Sequence, residues 1–110
     1  MRYALLGVAA ICSSLAMAAE PMEPLLGLSA DFEAGTLTLV VVSTGCTEKG
    51  DFRVGLDEGV LKVRRLRVDA CKAMPMKAPI TWTLDELGIS PHTPFHVGNP
   101  FLVNEYIATN

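Results

Sequence analysis

Thr36-Leu37-Thr38-Leu39-Val40-Val41-Val42-Ser43 is the stretch from which the rest of the chain can be placed. Threonine alternates with leucine at its start and three valines run together at its end, and β-branched side chains suit a pleated surface better than a helix. A run that is apolar on both faces belongs in the middle of a sheet, where neighbours cover it. The reading is therefore a central strand over residues 36–43. On its N-terminal side Leu26, Leu28, Ala30 and Phe32 alternate with Gly27, Ser29 and Asp31, the period of a half-buried strand, and Glu33-Ala34-Gly35 supplies the turn of a hairpin. Residues 20–24, with two prolines and two acids, read as a loose lead-in.

On the C-terminal side, residues 44–50 are a loop by composition, with Gly45, Cys46 and Gly50. Phe52, Val54 and Leu56 then alternate with Arg53 and Gly55, and Asp57-Glu58-Gly59 closes a second hairpin. The strand after it carries a conflict of parity. Leu61 and Val63 set one inward face, whereas Leu66 and Val68 set the other. A β-bulge at Arg64-Arg65 would reconcile them, turning all four apolar residues inward and aligning Lys62, Arg64, Arg65 and Arg67 outward as one basic ridge.

Residues 69–79 form an irregular connection carrying Cys71, Met74 and Met76, after which Ile80, Trp82 and Leu84 alternate with Thr81 and Thr83. Trp82 is the largest single candidate for the core. Thr83-Leu84-Asp85-Glu86 has capping-box spacing and Gly88 can terminate a helix, which together predict one helical turn over Leu84–Leu87. Residues 90–94 are a loop, Phe95 and Val97 flank His96 in a short strand, Gly98-Asn99-Pro100 breaks it, and Phe101 to Ile107 reads as a final strand docked on the core. The expected fold is all-β: a small antiparallel β-sandwich or barrel of six to seven short strands with one helical turn, occupying residues 20–110 as a single domain.

Residues 1–19 read as an export signal. Arg2 precedes an apolar run from Tyr3 to Ile11, and Ala16-Met17-Ala18 has the small-residue spacing of a cleavage site, so the mature chain is expected to start at Ala19 or Glu20. The apolar run is too short for a membrane span, and Ile11 before Cys12 does not suit a lipid-attachment site. The expected location is periplasmic or secreted. With Cys12 removed, Cys46 and Cys71 remain in an oxidising compartment, where a disulfide is the default and no C-x-x-C spacing favours metal. Loss of Arg2 leaves eight basic and twelve acidic residues, a formal charge of −4, which argues against nucleic acid as a partner.

Among the residues that could carry chemistry, His92 and His96 sit in a loop and on an outward strand position, and no nucleophile elbow, H-E-x-x-H or phosphate loop is present. No catalytic residue and no cofactor are expected. Met74 and Met76, as an M-x-M pair with His92 or His96, offer the soft donors that select Cu(I), which gives a periplasmic copper-binding protein as the alternative function. The principal expectation is a non-enzymatic binding protein of inhibitor, immunity or accessory type. Its Lys62, Arg64, Arg65 and Arg67 would meet an acidic protein or an anionic envelope component, beside loops tied by the Cys46–Cys71 bond.

Overall fold

The structure is a computed structural model and describes residues 22–103; the export signal expected over residues 1–19 and the end of the expected tail strand lie outside them. Two three-stranded sheets make the fold. Strands β1 (Gly27–Asp31), β2 (Thr36–Ser43) and β5 (Met76–Thr83) form one, with β2 in the middle; β3 (Phe52–Asp57), β4 (Val60–Arg65) and β6 (His96–Val97) form the other, with β4 in the middle. Every pairing is antiparallel except β4 with β6, which is parallel because the chain returns to β4 only after passing through the other sheet. The helical turn α1 (Leu84–Leu87) follows β5 directly.

The central position of β2 rests on its side chains. Leu37, Leu39 and Val41 are fully buried, and β2 pairs along its whole length with β5, Thr36 against Thr83 through to Ser43 against Met76. From the other sheet come Leu61, Val63 and Phe52, so the core lies between the two. Phe52 meets Trp82 edge to face across that gap, ring centroids 6.4 Å apart, an arrangement that the ring quadrupoles favour. Leu84, Leu87 and Ile89 close one end.

The α1 turn is fixed by local chemistry. Thr83 Oγ1 accepts from the Glu86 amide at 3.1 Å while the Glu86 carboxylate accepts from the Thr83 amide at 2.6 Å, and Gly88 ends the turn at φ 70°, a left-handed conformation that favours glycine. The Thr83 amide, with Lys49 adding its ammonium, holds the Glu86 carboxyl below its ordinary range.

Three expectations are corrected. First, no bulge interrupts β4: the register runs from Asp57 opposite Val60 to Phe52 opposite Arg65 without a break, and the strand ends there. Leu66 and Val68 are exposed instead of inward. Arg65 takes the inward parity after Leu61 and Val63, which is tolerable because its guanidinium lies 4.7 Å over the Phe52 ring and bridges the buried Glu23 carboxylate. The basic ridge is therefore divided between two faces and a loop.

Second, the lead-in is not loose where the structure describes it. The Glu23 amide donates to the Val63 carbonyl at 3.0 Å, and Leu25 is fully buried, with its amide on the Pro100 carbonyl. Third, the alternation predicted before β2 is only partly realised: Leu28 packs against the core, but Ala30 and Phe32 are exposed because the far end of β1 extends past it. Lys49 and Gly50, expected as the end of a loop over residues 44–50, form one 3₁₀ turn with Asp51.

Candidate functional site

Asp69 organises one end of the molecule. Its carboxylate accepts from the Thr47 hydroxyl at 2.6 Å, the Thr44 amide at 2.8 Å, the Cys46 amide at 3.1 Å and, through its other oxygen, the Cys71 amide at 3.0 Å. The Ser43 hydroxyl adds a contact at 3.3 Å. The loop after β2 and the segment after β4 are thus tied by one side chain, and the Cys46–Cys71 disulfide, with Cα atoms 5.7 Å apart, ties them again. Gly45 is required at this junction: it sits at φ +117°, and a Cβ there would stand 3.3 Å from both Ala73 and Cys71 Cβ. The Ala73 amide reaches the Thr44 carbonyl at 3.0 Å and completes the brace.

The Thr47 hydroxyl, with the Thr44, Cys46 and Cys71 amides, holds the Asp69 carboxyl well below the usual carboxylate range. A carboxyl whose folded pKa is depressed contributes stability above its unfolded value of about 3.9 and loses it as pH falls through the folded value. Asp69→Asn is therefore expected to be less stable than wild type at pH 7 and to lose less between pH 7 and pH 3. Urea midpoints at the two pH values measure this, and equal losses in both proteins would dismiss Asp69 as an acid-sensitive clamp.

The surface carried by the brace is apolar and basic. Val68 is 81% exposed and Met74 77% exposed, with Leu66 beside them on the same covalently braced segment. Arg67 keeps most of its side chain in solvent while its Nε donates to Asp51 Oδ1 at 3.0 Å, and Lys72 is exposed.

The other members of the expected ridge are scattered. Arg65 is inward, its Nε and Nη2 on Glu23 at 3.0 and 2.6 Å, Nη1 on Thr47, and Nη2 also on the Val42 carbonyl; the Glu23 bond raises its pKa. Lys62 and Arg64 lie on the outer face of β4, and Lys62 pairs with Asp57 at 2.9 Å. Arg53, which sequence reading did not single out, stands directly opposite Arg64. Only the register could have revealed it.

The four candidate metal ligands are not brought together. Met76 pairs with Ser43 at one end of β2, whereas His92 lines an open depression of about 410 Å³ with Phe32, Pro91, Thr93, Pro94 and Phe95, beyond the other end. Eight strand residues separate those ends by about 24 Å. His96 belongs to the second sheet, opposite Val60, and Met74 points into solvent on the braced segment. Among the described residues the group of His, Cys, Asp and Glu close enough to share an ion is Cys46, Asp69 and Cys71, and both of its sulfurs are joined in the disulfide.

A second polar centre lies beneath. Asn99 is buried, its Oδ1 accepting from the Val63 amide at 2.9 Å while its Nδ2 donates to the Val63 and Glu23 carbonyls, both at 2.7 Å. One side chain thus stitches β4, the residues before β1 and the segment after β6. Sequence reading took Gly98-Asn99-Pro100 for a simple strand breaker, and nothing local distinguishes the two roles.

No protein-family model, no curated protein and no solved structure matches this chain. Among the described residues no helix is long and apolar enough to cross a membrane, and the disulfide is compatible with an extracytoplasmic location.

Proposed function

We propose that this chain is a small exported binding protein of the bacterial periplasm, without catalytic activity of its own, that docks on an acidic protein through the disulfide-braced segment 66–75. The observation that carries the reading is the combination of brace and exposure: Val68 and Met74 are more than three-quarters in solvent on a segment held by a disulfide and by Asp69. Large apolar side chains left in water on a mobile loop would be unremarkable, but a loop already fixed in shape loses little entropy on docking. Lys72, which lies between the two apolar residues in the chain, and Arg67, mostly in solvent although its Nε bonds Asp51, are the basic residues of the segment, so the matching surface is an apolar pocket with an acidic border.

The test is retention of a partner from an envelope extract of the producing bacterium on the immobilised protein. Wild type and a Glu33→Ser control are expected to retain the same partner, and a Val68→Ser/Met74→Ser variant to lose it with an unchanged urea midpoint. Equal retention by all three proteins would overturn the proposal.

A further inference from the structure

The end of the first sheet that lies away from the brace carries the open depression of about 410 Å³ lined by Phe32, Pro91, His92, Thr93, Pro94 and Phe95. Two aromatic rings and two prolines make its lining chiefly apolar, and Phe32 is 48% exposed. Its surroundings are acidic. Exposed Asp31 and Glu33 flank Phe32 in the chain, and the Asp31 carboxylate accepts from the Glu33 and Ala34 amides at 3.1 and 3.0 Å, which fixes the turn that presents Phe32. The His96 amide donates to the Gly59 carbonyl at 2.9 Å, so the hairpin turn with exposed Glu58 lies next to Phe95 in the fold. Asp85 is exposed on α1, which follows the strand end where Thr83 stands opposite Thr36. Lys49, which reaches the same helical turn, is bound to Glu86 at 3.1 Å.

The braced segment is the converse of this end. It projects Val68 and Met74 into solvent beside Arg67 and Lys72. It does not fold back into its own molecule's depression, because Asp69 and the disulfide fix it at the Ser43 end of β2. Phe32 precedes the Thr36 end, about 24 Å away along the strand. A basic apolar projection and an acidic apolar concavity at opposite ends of one chain match each other between copies. The chain also has the overall sign that an acidic partner needs, with twelve acidic residues against nine basic.

We infer that the partner of the braced segment is a second copy of this chain, whose depression between Phe32 and Phe95 receives Val68 and Met74 while its carboxylates face Arg67 and Lys72. The inference rests on the reading of segment 66–75 as the contact surface and names what that surface meets. The Met74 thioether suits a pocket walled by aromatic rings, which attract sulfur beyond simple burial. The contact joins two different patches, so copies either add head to tail in an open chain or lie antiparallel with both contacts made in one pair.

The experiment is sedimentation velocity of the purified protein over a concentration series. Val68→Ser/Met74→Ser removes the projection, and Phe32→Lys removes a wall of the depression and sets a like charge against Arg67 and Lys72. All three positions are exposed, so both variants are expected to keep the wild-type urea midpoint. Wild type is expected to self-associate, less at high salt, and each variant alone to do so at least roughly tenfold more weakly. An equimolar mixture of the two variants should restore a one-to-one pair, since it contains one intact projection and one intact depression. Wild-type association that stops at the dimer identifies the antiparallel pair and growth beyond it the open chain; both use the same contact and support the inference. A wild type monomeric up to about 1 mM, association unchanged in either variant, or a mixture that forms no pair would overturn it. If monomeric wild type still retains a protein from an envelope extract through Val68 and Met74, the inference falls and the docking reading stands; if it neither self-associates nor retains a partner, both fall.

Discussion

Asn99→Ala is expected to destabilise the protein by about 4 kcal/mol, because it leaves the buried Val63 amide and Glu23 carbonyl without their hydrogen-bond partner at roughly 2 kcal/mol each. The Val63 carbonyl suffers less, since the Glu23 amide still donates to it. Asparagine is the side chain that offers one acceptor and two donors at this distance from the backbone. Asn99→Asp sharpens the prediction: the carboxylate can still accept from Val63, but it offers no donor to the two carbonyls and faces them with a buried negative charge. It should be no more stable than the alanine variant at pH 7. Urea unfolding followed by the fluorescence of Trp82, the sole tryptophan, measures both. A loss below about 1 kcal/mol in Asn99→Asp would mean that water replaces the side chain and that the network is dispensable.

Where the sequence pattern was sufficient, the determinants were local. Thr36–Ser43 reads as a central strand because β-branched residues in an unbroken apolar run have few other places to go, and it lies in the middle of its sheet. The α1 turn arises from Thr83, Glu86 and Gly88, three residues within a span of six that satisfy one another. The disulfide followed from a count of two cysteines and an expected oxidising compartment.

Where the pattern misled, the deciding partner was distant. Arginine at an inward strand position contradicts hydrophobic alternation, so Arg65 was placed outward and a bulge was needed to rescue Leu66 and Val68. Its inward position depends on Glu23, 42 residues earlier, in a segment whose prolines and acids suggested slack. Asp69 and Asn99 have the same character: each is an ordinary loop residue by composition, and each is made central by backbone groups that only the tertiary fold brings within reach. The candidate sites inherit this. Val68 and Met74 become informative only once they are known to be exposed on a braced segment, and Phe32 only once it is known to line a depression with Phe95. Leu66 and Val68, whose parity conflicts with that of Leu61 and Val63, lie on the segment the proposed contact surface uses, which is where local rules are expected to yield to function.

Breaking the Cys46–Cys71 link is expected to cost about 3.5 kcal/mol, the entropy released to the unfolded chain when a closed loop of about 26 residues is opened. Against the roughly 5–15 kcal/mol typical of small domains, that is a large fraction. The native side should resist the change well, because the Asp69 carboxylate continues to hold the Thr44, Cys46 and Cys71 amides and the Ala73 amide continues to reach Thr44. A Cys46→Ala/Cys71→Ala protein should therefore remain folded at room temperature with a lower urea midpoint, and wild type in reductant should match it. Agreement between the two assigns the loss to the covalent link, whereas a reduced wild type much less stable than the alanine variant would assign it to two thiols crowded beside a carboxylate. A loss below about 1 kcal/mol in both would show that the unfolded chain keeps these loops together without the bond. The same variant separates stability from recognition. Because the Asp69 bonds keep segment 66–75 ordered on the native side, partner retention by the folded alanine variant should match wild type where the native population is complete, and a loss of retention there would show that the covalent link itself orders the contact surface.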